Sequence, residues 1–280
     1  MANTILVTGA TGKTGRRLIP LLQEQGLSVR AASRVPSVGQ VAFDWDNPVS
    51  QSSALSGVTT IYLIPPALVE DPTPTVAPFL ALAKTAGVRS LLLVSSMGTA
   101  FPAEPQNSGR RKLEALVRDS GLDWTMLRPS GFMQNFSEGF LLPAVRNGAI
   151  PNPAGQGKVA MVDAGDIAAV AAAVLVGTGQ HAGQVYDLTG PSALNFDEIA
   201  QIIAREAGRS VVARPMTSPQ FLAMLEGAGV PSDYAAMLLR DQEAIRDGAA
   251  ASVSDTVTRL VGRPPRSFGV YAAEAAGAWR

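Results

Sequence analysis

The sequence predicts an α/β protein: a Rossmann-type, doubly wound parallel sheet followed by a small, mainly helical C-terminal part. Three observations carry this. A glycine-rich turn, Thr8-Gly9-Ala10-Thr11-Gly12-Lys13-Thr14-Gly15, stands between a short apolar run and a run with helical apolar spacing. Strand-like and helix-like segments then alternate through the first two-thirds of the chain, as a parallel sheet covered on both faces requires. After Leu188 the alternation stops, and helix-like segments follow one another.

The elements follow in order. Thr4-Ile5-Leu6-Val7 is apolar and β-branched, and reads as a buried first strand. Gly9, Gly12 and Gly15 give the spacing G-x-x-G-x-x-G. Gly9 permits a tight turn out of the strand, Gly12 lets backbone approach a pyrophosphate, and Gly15 lets the helix pack closely on the sheet. A helix is expected over 15–25, and a second strand over 29–32 ending at Ser33-Arg34. Further strands are expected over 59–63, 90–94, 124–127 and 184–188, and helices over 74–86, 111–120 and 166–176. Asp166 stands where the last of these needs an N-cap. Beyond Leu188, helices are expected over 196–207, 219–227 and 233–247 with no strand between them. Pro215, Pro219, Pro231 and Pro264-Pro265 punctuate that region. The domain reading is a nucleotide-binding Rossmann domain over 1–190, with an insertion at 131–157 toward the substrate site. A helical substrate-binding part follows over 191–280.

Bulk properties narrow the function. Of 280 residues, 46% are hydrophobic, enough for a large core, yet no unbroken apolar segment is long enough to span a membrane. The chain enters its first strand almost at once, so no secretory leader is expected. Formal net charge is +0, which argues against nucleic acid as the main partner. Cysteine is absent, which fits a cytoplasmic protein. With His181 as the single histidine, in a glycine-rich loop, no metal site and no histidine-based triad is expected. A small-molecule substrate is the expected partner, and a homodimer is compatible with the chain.

The strand-to-helix context of the glycine turn points to a dinucleotide. At the end of the second strand an NAD-preferring site usually has an acidic residue for the ribose hydroxyl. This chain has Ser33-Arg34 there, and a guanidinium suits a 2′-phosphate. NADPH is therefore expected, with NADH less favoured. In such open sheets the ligand lies beyond the carboxyl ends of the strands. Those ends run into Ile64-Pro65-Pro66, Ser95-Ser96-Met97-Gly98 and Arg128-Pro129-Ser130-Gly131-Phe132-Met133-Gln134-Asn135-Phe136. The expected cofactor contacts are Gly9, Thr11, Gly12, Lys13, Thr14, Gly15, Ser33, Arg34, Ile64, Pro65, Ser95, Ser96, Lys112, Pro129 and Gly131. Pro66, Met97, Phe132, Asn135, Phe136 and Tyr234 are expected at the substrate. Arg110 and Arg111 read as surface charges, and Trp124 as core.

These residues resemble the NmrA-like atypical short-chain dehydrogenase/reductases, and within them the ergot-alkaloid-type reductases. The resemblance rests on Thr8 to Gly15, Ala32-Ser33-Arg34, Phe43-Asp44-Trp45, Ile61-Tyr62-Leu63-Ile64-Pro65-Pro66 and Gly87-Val88-Arg89. It continues through Leu127-Arg128-Pro129, Phe132-Met133-Gln134-Asn135-Phe136, Asp166-Ile167-Ala168, Asp233-Tyr234-Ala235 and Gly262-Arg263-Pro264-Pro265. It spans nearly the whole chain. It implies NAD(P)H binding and, in the ergot branch, hydride delivery to a C=N bond.

One departure bears on mechanism. Ordinary short-chain dehydrogenases use Tyr-x-x-x-Lys, in which tyrosine passes a proton to the substrate oxygen. None of Tyr62, Tyr186, Tyr234 and Tyr271 has a lysine four residues on; Lys112 is preceded at that distance by Ser108. Lys112 and Ser108 are the catalytic candidates. Hydride addition to a carbonyl creates an alkoxide that needs a proton, whereas an iminium becomes a neutral amine. The pattern suits an NADPH-dependent reductase of imines or iminiums. Quinone or enone reduction is a second reading, and a non-catalytic NADP(H)-sensing regulator a third.

Overall fold

Seven strands form one sheet in a computed structural model that describes residues 3–177 and 179–280. The elements run β1 (Thr4–Val7), α1 (Gly15–Glu24), β2 (Ser28–Ser33), β3 (Gln40–Ala42), α2 (Pro48–Leu55), β4 (Thr60–Leu63), α3 (Thr73–Thr85) and β5 (Ser90–Val94). They continue with α4 (Gly109–Arg118), β6 (Asp123–Pro129), α5 (Leu142–Arg146), β7 (Ala149–Asn152), α6 (Ala164–Val176), β8 (Val185–Leu188) and α7 (Phe196–Ala207). Last come β9 (Val212–Pro215), α8 (Ser218–Gly227), α9 (Ser232–Arg246), α10 (Thr256–Val261) and α11 (Phe268–Ala275).

The strand order is β3-β2-β1-β4-β5-β6-β8. Strands β1, β2, β3, β4, β5 and β6 pair in parallel, with Ile5 opposite Val29 on one side and Thr60 on the other. The order reverses between β1 and β4, which is the switch point where open α/β sheets place a ligand. All four residues of β4 are buried, as are the apolar residues of β1, so these strands read as unbroken apolar runs. Helix α1 buries Leu18 and Leu22, one turn apart, and leaves Pro20 on its outer side.

The chain divides into two compact units. The first comprises Met1–Thr99, Pro105–Arg128 and Ile167–Tyr186, and so holds the sheet apart from the last residues of β6 and β8. Its core contains Leu6, Ile61, Leu63, Phe79, Leu91 and Leu93, capped by edge-to-face contacts among Phe43, Trp45 and Phe79. The second comprises Ala100–Glu104, Pro129–Asp166 and Asp187–Arg280. Its core brings Phe136 against Phe268, and joins Ile150 and Ile203 in one cluster with Trp279, whose indole N–H donates to the Phe136 carbonyl at 2.7 Å.

Most strands and long helices fall within two residues of their expected ends, and three expectations need correction. The region after Leu188 is not free of strands: β9 pairs in parallel with β7, Ala149 opposite Val212. Asp166 lies inside the first turn of α6, and Asp163 caps that turn instead, its carboxylate accepting from the Gly165 amide at 2.7 Å. Arg110 is not a surface charge but a buried residue on the inner face of α4. Helix α7 begins and ends where expected because both its ends are specified. Asn195 and Glu198 form a reciprocal capping box, and Gly208 closes the helix in the left-handed conformation at φ 68°.

Candidate cofactor site

The site is built at the switch point, in the first unit. Thr8, the residue after β1, is fully buried and ties two strand ends together. Its hydroxyl accepts from the Ile64 amide at 2.7 Å, and its backbone amide donates to the Tyr62 carbonyl at 3.1 Å. The chain then turns at Gly9, whose φ of 64° lies in the left-handed region and whose Cα side faces the Ile64 side chain. At Gly15 any Cβ would overlap the Gly9 carbonyl oxygen, so α1 starts flush against its own incoming strand. Gly12 is exposed and faces outward from this turn.

The start of α1 suits an anion. The first-turn amides of any helix lack intrahelical partners. Here no side-chain cap covers them, although the Arg16 and Arg17 amides donate to the Gly12 and Thr14 carbonyls, and no acidic residue stands in the first turn. Arg16 and Arg17 stand there instead, and Lys13 lies just before the N-cap. Burial lowers the Lys13 ammonium below its ordinary value, and the positive charges of Arg16 and Arg17 push the same way. Such crowding of like charge at a helix N-terminus favours a multiply charged anionic ligand. Arg34 is exposed just past β2, the neighbouring strand, where Ser33 turns the chain by donating to the Val35 carbonyl at 3.1 Å.

The C-terminal end of β5 is held from α4. The Ser95 hydroxyl donates to Glu114 at 2.7 Å, and Glu114 also receives Arg128 and Arg118. Burial would raise the Glu114 carboxyl. The hydrogen bonds from Arg128 and Ser95, the Arg128 charge and the Arg118 hydrogen bond outweigh it and hold the group below its ordinary value. The guanidinium of Arg110 reaches the Ser96 hydroxyl at 3.4 Å, and that of Arg111 donates to the Thr99 carbonyl at 3.0 Å.

The expected site residues sort by unit. The glycine-turn residues, Ser33, Arg34, Ile64, Pro65, Pro66, Ser95, Ser96 and Met97 all stand at or just past the carboxyl ends of β1, β2, β4 and β5. Pro129, Gly131, Phe132, Asn135, Phe136 and Tyr234 belong to the second unit. Phe136 is a core side chain with 0% exposure, and Met97 is buried as well. Ser108 is the buried N-cap of α4, its hydroxyl accepting from the Arg111 amide at 3.4 Å. Lys112 is exposed and paired with Asp71 at 2.8 Å.

Three further residues shape the site beyond those expected. Thr8 is hidden in the sequence as the first letter of the glycine motif. Glu114 does carry a signal: it is a carboxylate on the same stripe of α4 as Leu113 and Val117, a position that demands paired charge. Tyr62 is, from the sequence, a strand residue like its neighbours. Its hydroxyl is buried without a well-formed hydrogen bond, burial pushes its ionisation far up, and the adjacent Thr14 side chain acts in the opposite sense.

Comparison with known proteins agrees with this geometry. The pattern of the NAD(P)H-binding family matches residues 9–177. The oxidoreductase YesF of Bacillus subtilis is 38% identical over 99% of this chain and 96% of its own. The NAD(P)H azoreductase of Xenophilus azovorans is 35% identical over 98% and 99%. Agroclavine dehydrogenase of Claviceps fusiformis is 29% identical over 99% and 98%. The Escherichia coli quinone oxidoreductase QOR2, solved with NADPH, superposes with a TM-score of 0.77 at 26% identity over 96% of this chain and 99% of that one. The chain belongs to the NAD(P)H-binding family, and it is an NAD(P)H-dependent oxidoreductase.

Proposed function

We propose that the protein is an NADPH-dependent reductase that delivers hydride to a small electrophilic organic compound, foremost an imine or iminium. The observation that carries this is the state of α4. Where a tyrosine acid would stand, Ser108 caps the helix, and Lys112 is tied to Asp71. The hydrogen bond and charge of Asp71 raise the Lys112 ammonium above its ordinary value, which makes it a poorer proton donor. Tyr186 is hydrogen-bonded with His181 at 2.8 Å, and Tyr271 donates to Ser137 at 2.8 Å. An acceptor that needs no protein acid suits this arrangement.

NADPH supplies the hydride. The chain's own part would be to seat the pyrophosphate on the Gly12 turn at the start of α1, with Lys13 and Arg16 beside it. Arg34 would pair with the 2′-phosphate, and Ser95 and Ser96 would lie beside the ribose at the end of β5. A second reading, reduction of a quinone, enone or azo compound, is favoured by the similarity to a named azoreductase and a named quinone oxidoreductase. These acceptors also spread the incoming charge over a conjugated system and take their proton from water.

The test is NADPH oxidation by purified protein against cyclic imines, quinones and shape-matched ketones. Preference for imine over quinone supports the first reading, and the reverse order the second. Tight NADPH binding with no turnover of any of them would make the protein a cofactor sensor instead.

A further inference from the structure

The loop from β4 to α3, residues 64–72, is fastened at both ends and apolar in the middle. At its start, Ile64 is bonded to Thr8, and Pro65-Pro66 stiffen the exit from the strand. At its end, Gly109 of α4 packs so closely that a Cβ there would overlap the Glu70 carbonyl oxygen, and the Gly109 amide donates to the Glu70 carboxylate at 3.3 Å. Asp71 accepts from the Thr73 hydroxyl at 2.6 Å and from Lys112 at 2.8 Å. Between these anchors Leu68 is 47% exposed and Val69 40% exposed. Leu68 is the one non-glycine residue among those described with a positive φ, 59°. A leucine in that region is uncommon, and persists where surrounding structure over-determines it. The loop leaves the switch-point strand directly beside Gly9, so its apolar crest belongs to the same end of the sheet as the glycine turn.

We propose that Leu68 and Val69 are specificity-determining contacts for an apolar ring of the hydride acceptor, and that Lys112 is a positioning residue that holds this crest in place through Asp71. The inference rests on the reductase reading given above. It gives Lys112 and Gly109 a purpose that needs no proton transfer. An acceptor with an extended apolar ring meets such a crest over more surface than a compact one.

Two measurements on the full-length protein decide it. Amide hydrogen exchange over 67–71 in the NADPH complex should quicken about threefold in Lys112→Ala and return to the wild-type rate in Lys112→Arg. Unchanged exchange in Lys112→Ala overturns the anchoring role. Calorimetric titration of the NADP⁺ complex with menadione or dihydroisoquinoline, against benzoquinone or pyrroline, tests the crest. Leu68→Ser should weaken the bicyclic compounds about tenfold, with the compact ones and NADPH itself changed by less than about threefold. Equal weakening of both sizes, no weakening, or no binding of either bicyclic compound to the wild type overturns it. A Lys112→Ala variant that loses NADPH affinity, or whose kcat falls with a shifted pH profile, assigns Lys112 to cofactor or proton transfer and overturns the positioning role. Bicyclic binding without any turnover would sink the reductase reading while leaving the contact standing.

Discussion

Arg128 holds Glu114 with both arms of its guanidinium, Nε on Oε1 at 2.8 Å and Nη2 on Oε2 at 2.6 Å, while only 1% of the Glu114 side chain is exposed. The pair joins the end of β6 to the inner face of α4, and Ser95 and Arg118 complete the shell around the carboxylate. Both carboxylate oxygens that burial strips of water thus find donors, which is the condition under which a buried ion pair is tolerated.

Breaking that pair should be costly. Removing one partner of a buried ion pair costs about 3–5 kcal/mol, a large share of a domain's stability of about 5–15 kcal/mol. Glu114→Gln is expected to lower the melting temperature sharply. The pH dependence has a definite sign. The folded carboxyl lies below its ordinary value of 4.5, so its contribution is complete above that pH and is lost as pH falls through the folded value. Thermal melts of wild type and variant between pH 7 and about pH 3 check this: the gap between them should narrow only below the ordinary carboxylate range.

Cofactor preference should reside in Arg34. A charge-assisted contact of this kind is worth roughly 1.5–3 kcal/mol, or about ten- to a hundredfold in affinity. Arg34→Ala should weaken NADPH by that factor and leave NADH nearly unchanged. Fluorescence titration of both nucleotides reads it directly. Equal affinities in the wild type would remove Arg34 from the site.

The glycines of the turn should fail in different ways. Gly12 is exposed, has an ordinary φ, and a Cβ there would meet the Gly9 carbonyl oxygen at 3.1 Å. Gly12→Val should therefore fold with a melting temperature within a few degrees of wild type and bind NADPH poorly. Gly15→Val should destabilise the fold itself, because its Cβ would overlap backbone. Paired melts and titrations distinguish the two, and normal NADPH binding by Gly12→Val would place the cofactor elsewhere.

Substrate preference should follow electrophilicity already present in the acceptor. Loss of a general acid costs about 10²–10⁴-fold where a reaction needs one. A cyclic iminium should react faster than its carbocyclic ketone analogue by a factor of that order. Ser108→Ala should lose about 1 kcal/mol of stability, the worth of a serine cap, with no selective loss of ketone over iminium turnover. Efficient ketone reduction abolished by that substitution would reveal a proton relay through Ser108.

The sheet is legible in the sequence because its strands are buried on both faces: Thr4-Ile5-Leu6-Val7 and Ser90-Leu91-Leu92-Leu93-Val94 admit no other reading at that length. The long helices are legible from apolar spacing and caps. What escapes is short or paired at a distance. Strand β3 has three residues, none of them buried, and β9 is recognisable only through its partner β7, which lies 63 residues earlier at the register Ala149–Val212. At the site, the glycine turn and Arg34 announce themselves by local sequence. Thr8, Asp71 and Glu114 do not, because their meaning lies in partners 56, 41 and 14 residues away.

The burial of Trp279 against Phe136 sets an order of events during synthesis. The first unit is complete once Tyr186 has been made, whereas the second waits for residue 279. At about 5–20 residues per second the interval lasts roughly 5–20 s. Throughout it Phe136, Val145 and Ile150 lack Phe268 and Trp279, apolar partners that share their cluster in the finished core. The half that carries the glycine turn is therefore made whole while the other half still lacks part of its core.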